Sequence, residues 1–163
     1  IIRSGTYLSG RKINPAPSLF ISAVENPGTH PFEYRVERAI KKQKAGARWL
    51  QLQLCFHMER LENFCKGVAA HGTNLPILPN VILIKGAKGM QFMNENVRGI
   101  NIPQDMIDRV AKAADPAEEA YQLTLELAKH ALAQPGVRGL HVTDFRHDDS
   151  LARLMTDLGR TEK

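Results

Sequence analysis

The sequence predicts an α/β protein with parallel strands, and three observations carry that prediction. Apolar stretches with strand character alternate with helical segments, and the pattern strand then helix occurs four times. Within Ala45 to Phe56, Trp49, Gln51, Gln53 and Cys55 fall on one face of a strand, and Leu50, Leu52, Leu54 and Phe56 on the other. The apolar face suits packing beneath helices, whereas the glutamines need hydrogen-bonding partners inside a barrel or crevice. The third observation is length. A chain of 163 residues is long enough for one core, but eight β/α units take roughly 200 to 250 residues or more. The fold is therefore an open doubly wound sheet or part of a (β/α) barrel. In the second case four strands cannot close and leave two unpaired edges, so a missing half or a second chain must complete them.

Taken in order, Ile1 to Pro17 is polar and broken by Gly5, Gly10, Pro15 and Pro17, which makes residues 1–18 a loop-like lead-in to a single domain spanning 1–163. Leu19 to Val24 has strand character and stops at Glu25, Asn26, Pro27 and Gly28. Pro31 suits the first turn of a helix whose inward positions are Val36, Ala39 and Ile40, and Ala45 to Ala47 ends it. After the central strand, Met58, Leu61, Phe64, Cys65 and Val68 recur at helical spacing up to Gly72. Pro76 to Ile84 forms the next strand, followed by a glycine-punctuated stretch, Lys85 to Gly89, and a short helix through Met90 and Met93. Pro103 opens a helix with Met106, Ile107 and Val110 inward. Asp115 and Pro116 supply the N-cap and first position of another, with Ala120, Leu123, Leu127 and Ala131 on its apolar face. Gly136 and Gly139 bracket the turn into a strand, Leu140 to Phe145, and Ser150 to Leu158 forms the last helix.

Composition narrows the function. With 43% apolar and 24% charged residues the chain has an ordinary globular make-up. No apolar run approaches the roughly 20 residues of a membrane helix. The two cysteines, Cys55 and Cys65, lie in apolar periodic segments and read as buried thiols of a reducing, cytoplasmic compartment. A net charge of +5 permits a nucleic-acid partner, yet the basic residues are not interleaved with exposed aromatics and no nucleic-acid-binding signature occurs, so none is expected. The densest basic cluster, Arg35, Arg38, Lys41, Lys42, Lys44 and Arg48, is either a solvated helix face or a site for a phosphorylated ligand.

The motif search excludes the common sites: there is no G-x-G-x-x-G, P-loop, H-E-x-x-H, C-x-x-C pair or G-x-S-x-G. No metal site is expected, and His141, the one histidine inside a strand, reads as a hydrogen-bonded interior residue. Asp148 and Asp149 read as caps of the last helix. In β/α architectures ligands bind at the carboxyl ends of the strands. Glu25, Asn26, Gln53, Lys85, Lys88, Asp144, Arg146 and His147 all fall on that rim. Such a rim, without an activated nucleophile, fits binding of a large polar heterocycle and an anionic group, with the chemistry left to a cofactor.

Five segments in register, S-A-V-E-N-P (22–27), K-K-Q-K-A-G-A-R-W-L-Q-L-Q (41–53), P-I-L-P-N-V (76–81), N-I-P (101–103) and G-V-R-G-L-H (136–141), resemble methylenetetrahydrofolate reductases. The resemblance implies the last four units of a flavin-dependent (β/α)8 TIM barrel. That family reduces 5,10-methylenetetrahydrofolate to 5-methyltetrahydrofolate with NADH or NADPH through FAD. It implies that Gln53 hydrogen-bonds the pterin and that Arg146, one position from a family arginine, lies near the folate. Lys42, Lys41, Arg38 and Asn26 are implied on the FAD side, with Arg35 beside them. The family's Thr-Gln pair is Leu52-Gln53 here, and Gly89 and Met93 stand where some members carry a folate-contacting glutamine and phenylalanine.

The family's acidic residue on its first strand and its flavin-contacting segment after the fourth have no counterpart in this sequence, so no catalytic residue is expected on this chain. The start at Ile1 fits a missing N-terminal half. The alternative reading is a non-catalytic folate- or flavin-binding subunit or assembly partner, and an oligomer is expected in either case.

Overall fold

The computed structural model describes residues 5–15 and 17–160. The elements follow one another as β1 (Ser22–Glu25), α1 (Phe32–Lys44), β2 (Trp49–Leu54), α2 (Met58–Ala70), β3 (Ile77–Leu83), α3 (Ala87–Asn96), α4 (Gln104–Lys112), α5 (Pro116–Leu132), β4 (His141–Asp144) and α6 (Ser150–Asp157). The strands form one four-stranded parallel sheet in the order β1-β2-β3-β4. Parallel neighbours need crossover connections, which the helices supply.

The alternation expected for the central strand holds. Leu50 and Leu52 are 0% and 2% exposed and pack against Leu61, Phe64, Cys65 and Val68 of α2. Val81 and Leu83 of β3 pack against Tyr121, Leu125 and Ala128 of α5. On the opposite face Val24 is 66% exposed, and Gln51, Gln53, Asn80 and Thr143 are half-buried. One face of the sheet is thus covered by helices, and the other is open over most of its area. At its carboxyl end Ile82, on the open face by alternation with Asn80, is buried with Met90, Met93 and Ile100, so α3 and the segment after it close over that end.

Pro79 sets the local geometry of the sheet. The Ile77 N–H donates to the Gly136 carbonyl and its own carbonyl accepts from Arg138, so by alternation the Pro79 nitrogen turns the same way and has no hydrogen to give. That ladder resumes only at Asn80↔His141. On the other side the β2–β3 register runs Gln51↔Leu78 and then Leu54↔Asn80, which places a bulge at Leu52 and Gln53. The Leu54 N–H is taken by the Gln53 Oε1 at 3.0 Å.

Three expectations need correction. Leu19 to Ile21 lie outside the first strand, which runs Ser22–Glu25, because only the Ile21 carbonyl finds a partner there, the Arg48 N–H. Gly89 lies within α3 and not before it, and the helix approaches the Ile84 side chain closely there, since a Cβ at that position would lie 2.9 Å from Ile84 Cδ1. Asp149 occupies the N-cap position of α6 without a side-chain cap bond, and Asp148 Oδ1 instead accepts from the Ser150 N–H at 2.9 Å. In the lead-in, a Thr6↔Lys12 bridge closes a small antiparallel turn. Residues 1–4 and 16 of the expected loop lie outside the described residues.

Candidate functional site

A cavity of about 550 Å³ lies at the carboxyl ends of β2, β3 and β4 on the open face. Its floor is polar: Gln53, Asn80 and Thr143 line it, and Thr143 Oγ1 donates to Asn80 Oδ1 at 3.1 Å. The bulge matters here, because with Gln53 Oε1 holding the Leu54 N–H, the free end of that amide is its NH2 group. Asn80 likewise has its NH2 end free, so the floor presents two amide donors among the described residues. The walls are apolar, from Ile82, Met93 and Ile100, and Lys85, Phe92 and Phe145 stand at the mouth.

A second cluster sits at the end of β1. The Glu25 side chain is 1% exposed and is met by Arg35 at 3.2 Å, Arg38 at 3.3 Å and Lys42 at 2.6 Å, all on one face of α1. Burial pushes the Glu25 carboxyl up, but the Lys42 hydrogen bond, the Asn26 N–H and the charges of Lys42 and Arg38 outweigh it and hold the group below its ordinary value. The Lys42 ammonium also donates to the Val24 carbonyl. Ile21 turns its carbonyl to β2, so by alternation Val24 faces the unpaired edge of the sheet.

The remaining residues singled out from the sequence are placed as follows. Lys41 is exposed, its Nζ 5.1 Å from the centroid of the Tyr34 ring. Asn26 donates to the Gly99 carbonyl at 2.8 Å and accepts from the Gly28 N–H at 2.9 Å, which joins the β1–α1 loop to the segment after α3. Arg146 donates to the Ala117 carbonyl at 2.8 Å and pairs with Asp148 at 3.2 Å, and its side chain is only 13% exposed. It ties the end of β4 to the start of α5. His141 lies 3.3 Å from Gln51 Nε2 across the open face, and no metal-holding group of His, Cys, Asp or Glu occurs among the described residues.

Sequence reasoning placed Gln53 at the carboxyl end of its strand, where the structure puts it in the cavity lining, and did not single out Asn80, Thr143 or the two rings at the mouth. It also read the basic face of α1 without its acid. The 3- and 4-residue spacing of Arg35, Arg38 and Lys42, with Glu25 just upstream, was the available signal.

Comparison with known proteins adds the following. A family model described as methylenetetrahydrofolate reductase matches residues 19–159. No curated protein matches. Among solved structures, one described as an uncharacterized protein from Clostridium thermocellum that binds two copies of 5-methyl-5,6,7,8-tetrahydrofolic acid is similar with a TM-score of 0.65 at 17% identity. The match covers 89% of this chain and 53% of that one, so this chain spans about half the length of that structure. At this identity the likeness speaks for the fold alone.

Proposed function

Because the chain belongs to the methylenetetrahydrofolate reductase family, we propose that it supplies the C-terminal half of a (β/α)8 barrel that binds a reduced folate. The assembled protein then reduces 5,10-methylenetetrahydrofolate to 5-methyltetrahydrofolate with NADH or NADPH. The observation that carries this reading is the cavity at the carboxyl ends of β2, β3 and β4, floored by Gln53, Asn80 and Thr143 where α3 meets the otherwise open face of the sheet. In a closed barrel that face is the interior, and ligands sit at this end. The other half is a missing N-terminal segment or a partner chain. The two unbridged thiols fit the cytoplasm, and no described helix is long and apolar enough to cross a membrane.

The donor floor suits the acceptor groups of a pterin, with Gln53 Nε2 as the main contact and Arg146 holding the wall in place from behind. On the β1 side, Arg35, Arg38 and Lys42 set three cations against one buried carboxylate, and Lys41 stands exposed beside them. This surplus of positive charge fits a dinucleotide diphosphate, so Lys41, Lys42, Arg38 and Asn26 are the residues that would hold FAD. FAD, when bound, supplies the hydride relay between nicotinamide and folate.

A second reading is favoured by one observation. Lys42 and Arg38 are already engaged by Glu25, and a flavin diphosphate must compete with that carboxylate. The chain then belongs to a non-catalytic folate-binding assembly partner. A visible spectrum separates the two, since bound flavin gives bands near about 370 and 450 nm that the second reading lacks.

The test of the folate assignment is Gln53→Leu in the assembled protein. Loss of the amide leaves ligand groups unpaired, and folate turnover or folate KM should worsen by about 10-fold or more while flavin reduction by the nicotinamide is nearly unchanged. Equal loss in both half-reactions means a damaged barrel, and no loss in either removes Gln53 from the site.

A further inference from the structure

We infer that residues 97–102, which follow α3, form a wall of the cavity docked as one body, and that His57 and Asn101 are positioning residues that set the ligand affinity without touching the ligand. The inference rests on the folate reading above and concerns how the cavity is held, not which groups contact its occupant.

Val97 and Ile100 line the cavity, yet the segment that carries them belongs to no helix or strand. No ladder of backbone bonds fixes its place, so side chains must. One set closes the segment on itself. The Asn94 amide, in the last turn of α3, donates to the Ile102 carbonyl at 2.9 Å and accepts from the Ile102 N–H at 2.7 Å. Ile100 and Ile102 are 9% and 2% exposed and join the same core cluster as Met90 and Met93. The loop is therefore tied at both ends to α3 and moves with it as a unit.

Two further bonds reach from that unit to the loops at the carboxyl ends of β1 and β2. The Gly99 carbonyl accepts from Asn26 Nδ2 at 2.8 Å, and Asn101 Oδ1 accepts from His57 Nε2 at 2.6 Å. Both depend on the residue present. Gly99 has a φ of +82°, and a Cβ there would lie 2.8 Å from Asn26 Nδ2, so a side chain would be strained and would crowd the anchor. His57 occupies the N-cap position of α2 but makes no side-chain capping bond, and its ring turns instead to Asn101, 44 positions on. Neither His57 nor Asn101 lines the cavity, so their effect on a ligand passes through Val97 and Ile100.

Calorimetric titration of the assembled protein with 5-methyltetrahydrofolate tests the assignment. His57→Ala and Asn101→Ala should each raise the Kd by about 5-fold. Because both remove the same bond, the double variant should also be weaker by about 5-fold and not by about 25-fold. His57→Gln, which presents an amide donor from the same position, should restore the affinity to within about 2-fold of the unsubstituted protein. Asn101 is exposed, so Asn101→Ala decides the matter if His57→Ala disturbs the start of α2. Unchanged folate affinity in Asn101→Ala overturns the inference, as do multiplied losses in the double variant or a failure of His57→Gln to restore binding. If the unsubstituted protein does not bind the folate, the folate reading itself fails and takes the inference with it. Folate binding that Asn101→Ala leaves intact sinks the inference alone.

Discussion

At the scale of single residues, Glu25 is the most heavily engaged side chain of the sheet. Its carboxylate is 1% exposed and meets three cations, of which Arg38 keeps 42% and Lys42 26% of its side-chain surface in water. Removing one partner of a buried pair costs about 3 to 5 kcal/mol, and partial exposure of the cations reduces this, so Glu25→Ala should lose about 2 to 4 kcal/mol in urea unfolding at neutral pH. The pH dependence follows from the sign of the shift. Because the folded pKa is held below 4.5, the carboxylate stabilises the fold at pH values above 4.5 and loses that contribution as pH falls through its folded value. The stability gap between the native sequence and Glu25→Gln should therefore narrow on acidification below 4.5, and unfolding curves at successive pH values check it. The cysteines behave oppositely. Burial pushes the Cys55 thiol up to about 11 and the Cys65 thiol up to about 12. Both stay protonated at neutral pH, and a thiol reagent should modify them at a small fraction of the rate seen in denaturant.

At the scale of elements, caps and close contacts hold the helices that carry the site. Asp115 Oδ1 accepts from the Ala117 and Glu118 N–H groups, both at 3.0 Å, ahead of Pro116 at the first position of α5. Asp115→Ala should cost about 1 kcal/mol, within a range of about 0.5 to 2, measured by thermal or urea unfolding. Arg109 reaches from α4 to both Glu119 and Glu126 of α5, and Arg146 holds the start of α5 against the end of β4. Arg146 thus ties the first turn of α5 to the segment after β4, where Phe145 lines the cavity. Where α1 packs on α2, Gly67 is the contact, since a Cβ there would lie 2.8 Å from Val36 Cγ2. Glycine in a helix interior costs about 1 kcal/mol relative to alanine, and this approach is what the small residue permits.

At the scale of the whole molecule, the sheet has a helix-covered face, a largely open face and two edges, β1 and β4, unpaired among the described residues. Lys42 blunts the β1 edge by holding the Val24 carbonyl, a known device against edge-to-edge pairing. The open face has no such protection, with Val24 66% exposed and the Gln51–His141 pair lying across it. The 163-residue chain by itself is expected to self-associate or to capture another half-barrel. Sedimentation velocity checks this, and a monodisperse monomer that unfolds cooperatively contradicts it.

Much of this was legible in the residues. The two-residue alternation of Trp49 to Phe56 and the helical spacing of the following segment place elements without reference to anything distant, because periodicity is a local property of the backbone. The Asp115–Pro116 cap is equally local, and so is the position of Gln53 late in its strand. The rest depended on contacts between residues far apart in the chain. That Glu25 would gather the basic face of α1, that a bulge at Leu52 and Gln53 would set the Gln53 side-chain carbonyl on the Leu54 N–H and leave its NH2 end free, and that Arg146 would be spent on the Ala117 carbonyl are outcomes of packing. That Phe92 and Met93 of α3 both line the cavity, the first exposed and the second buried, is likewise set by how α3 seats on the sheet, and only the assembled fold fixes that rotation.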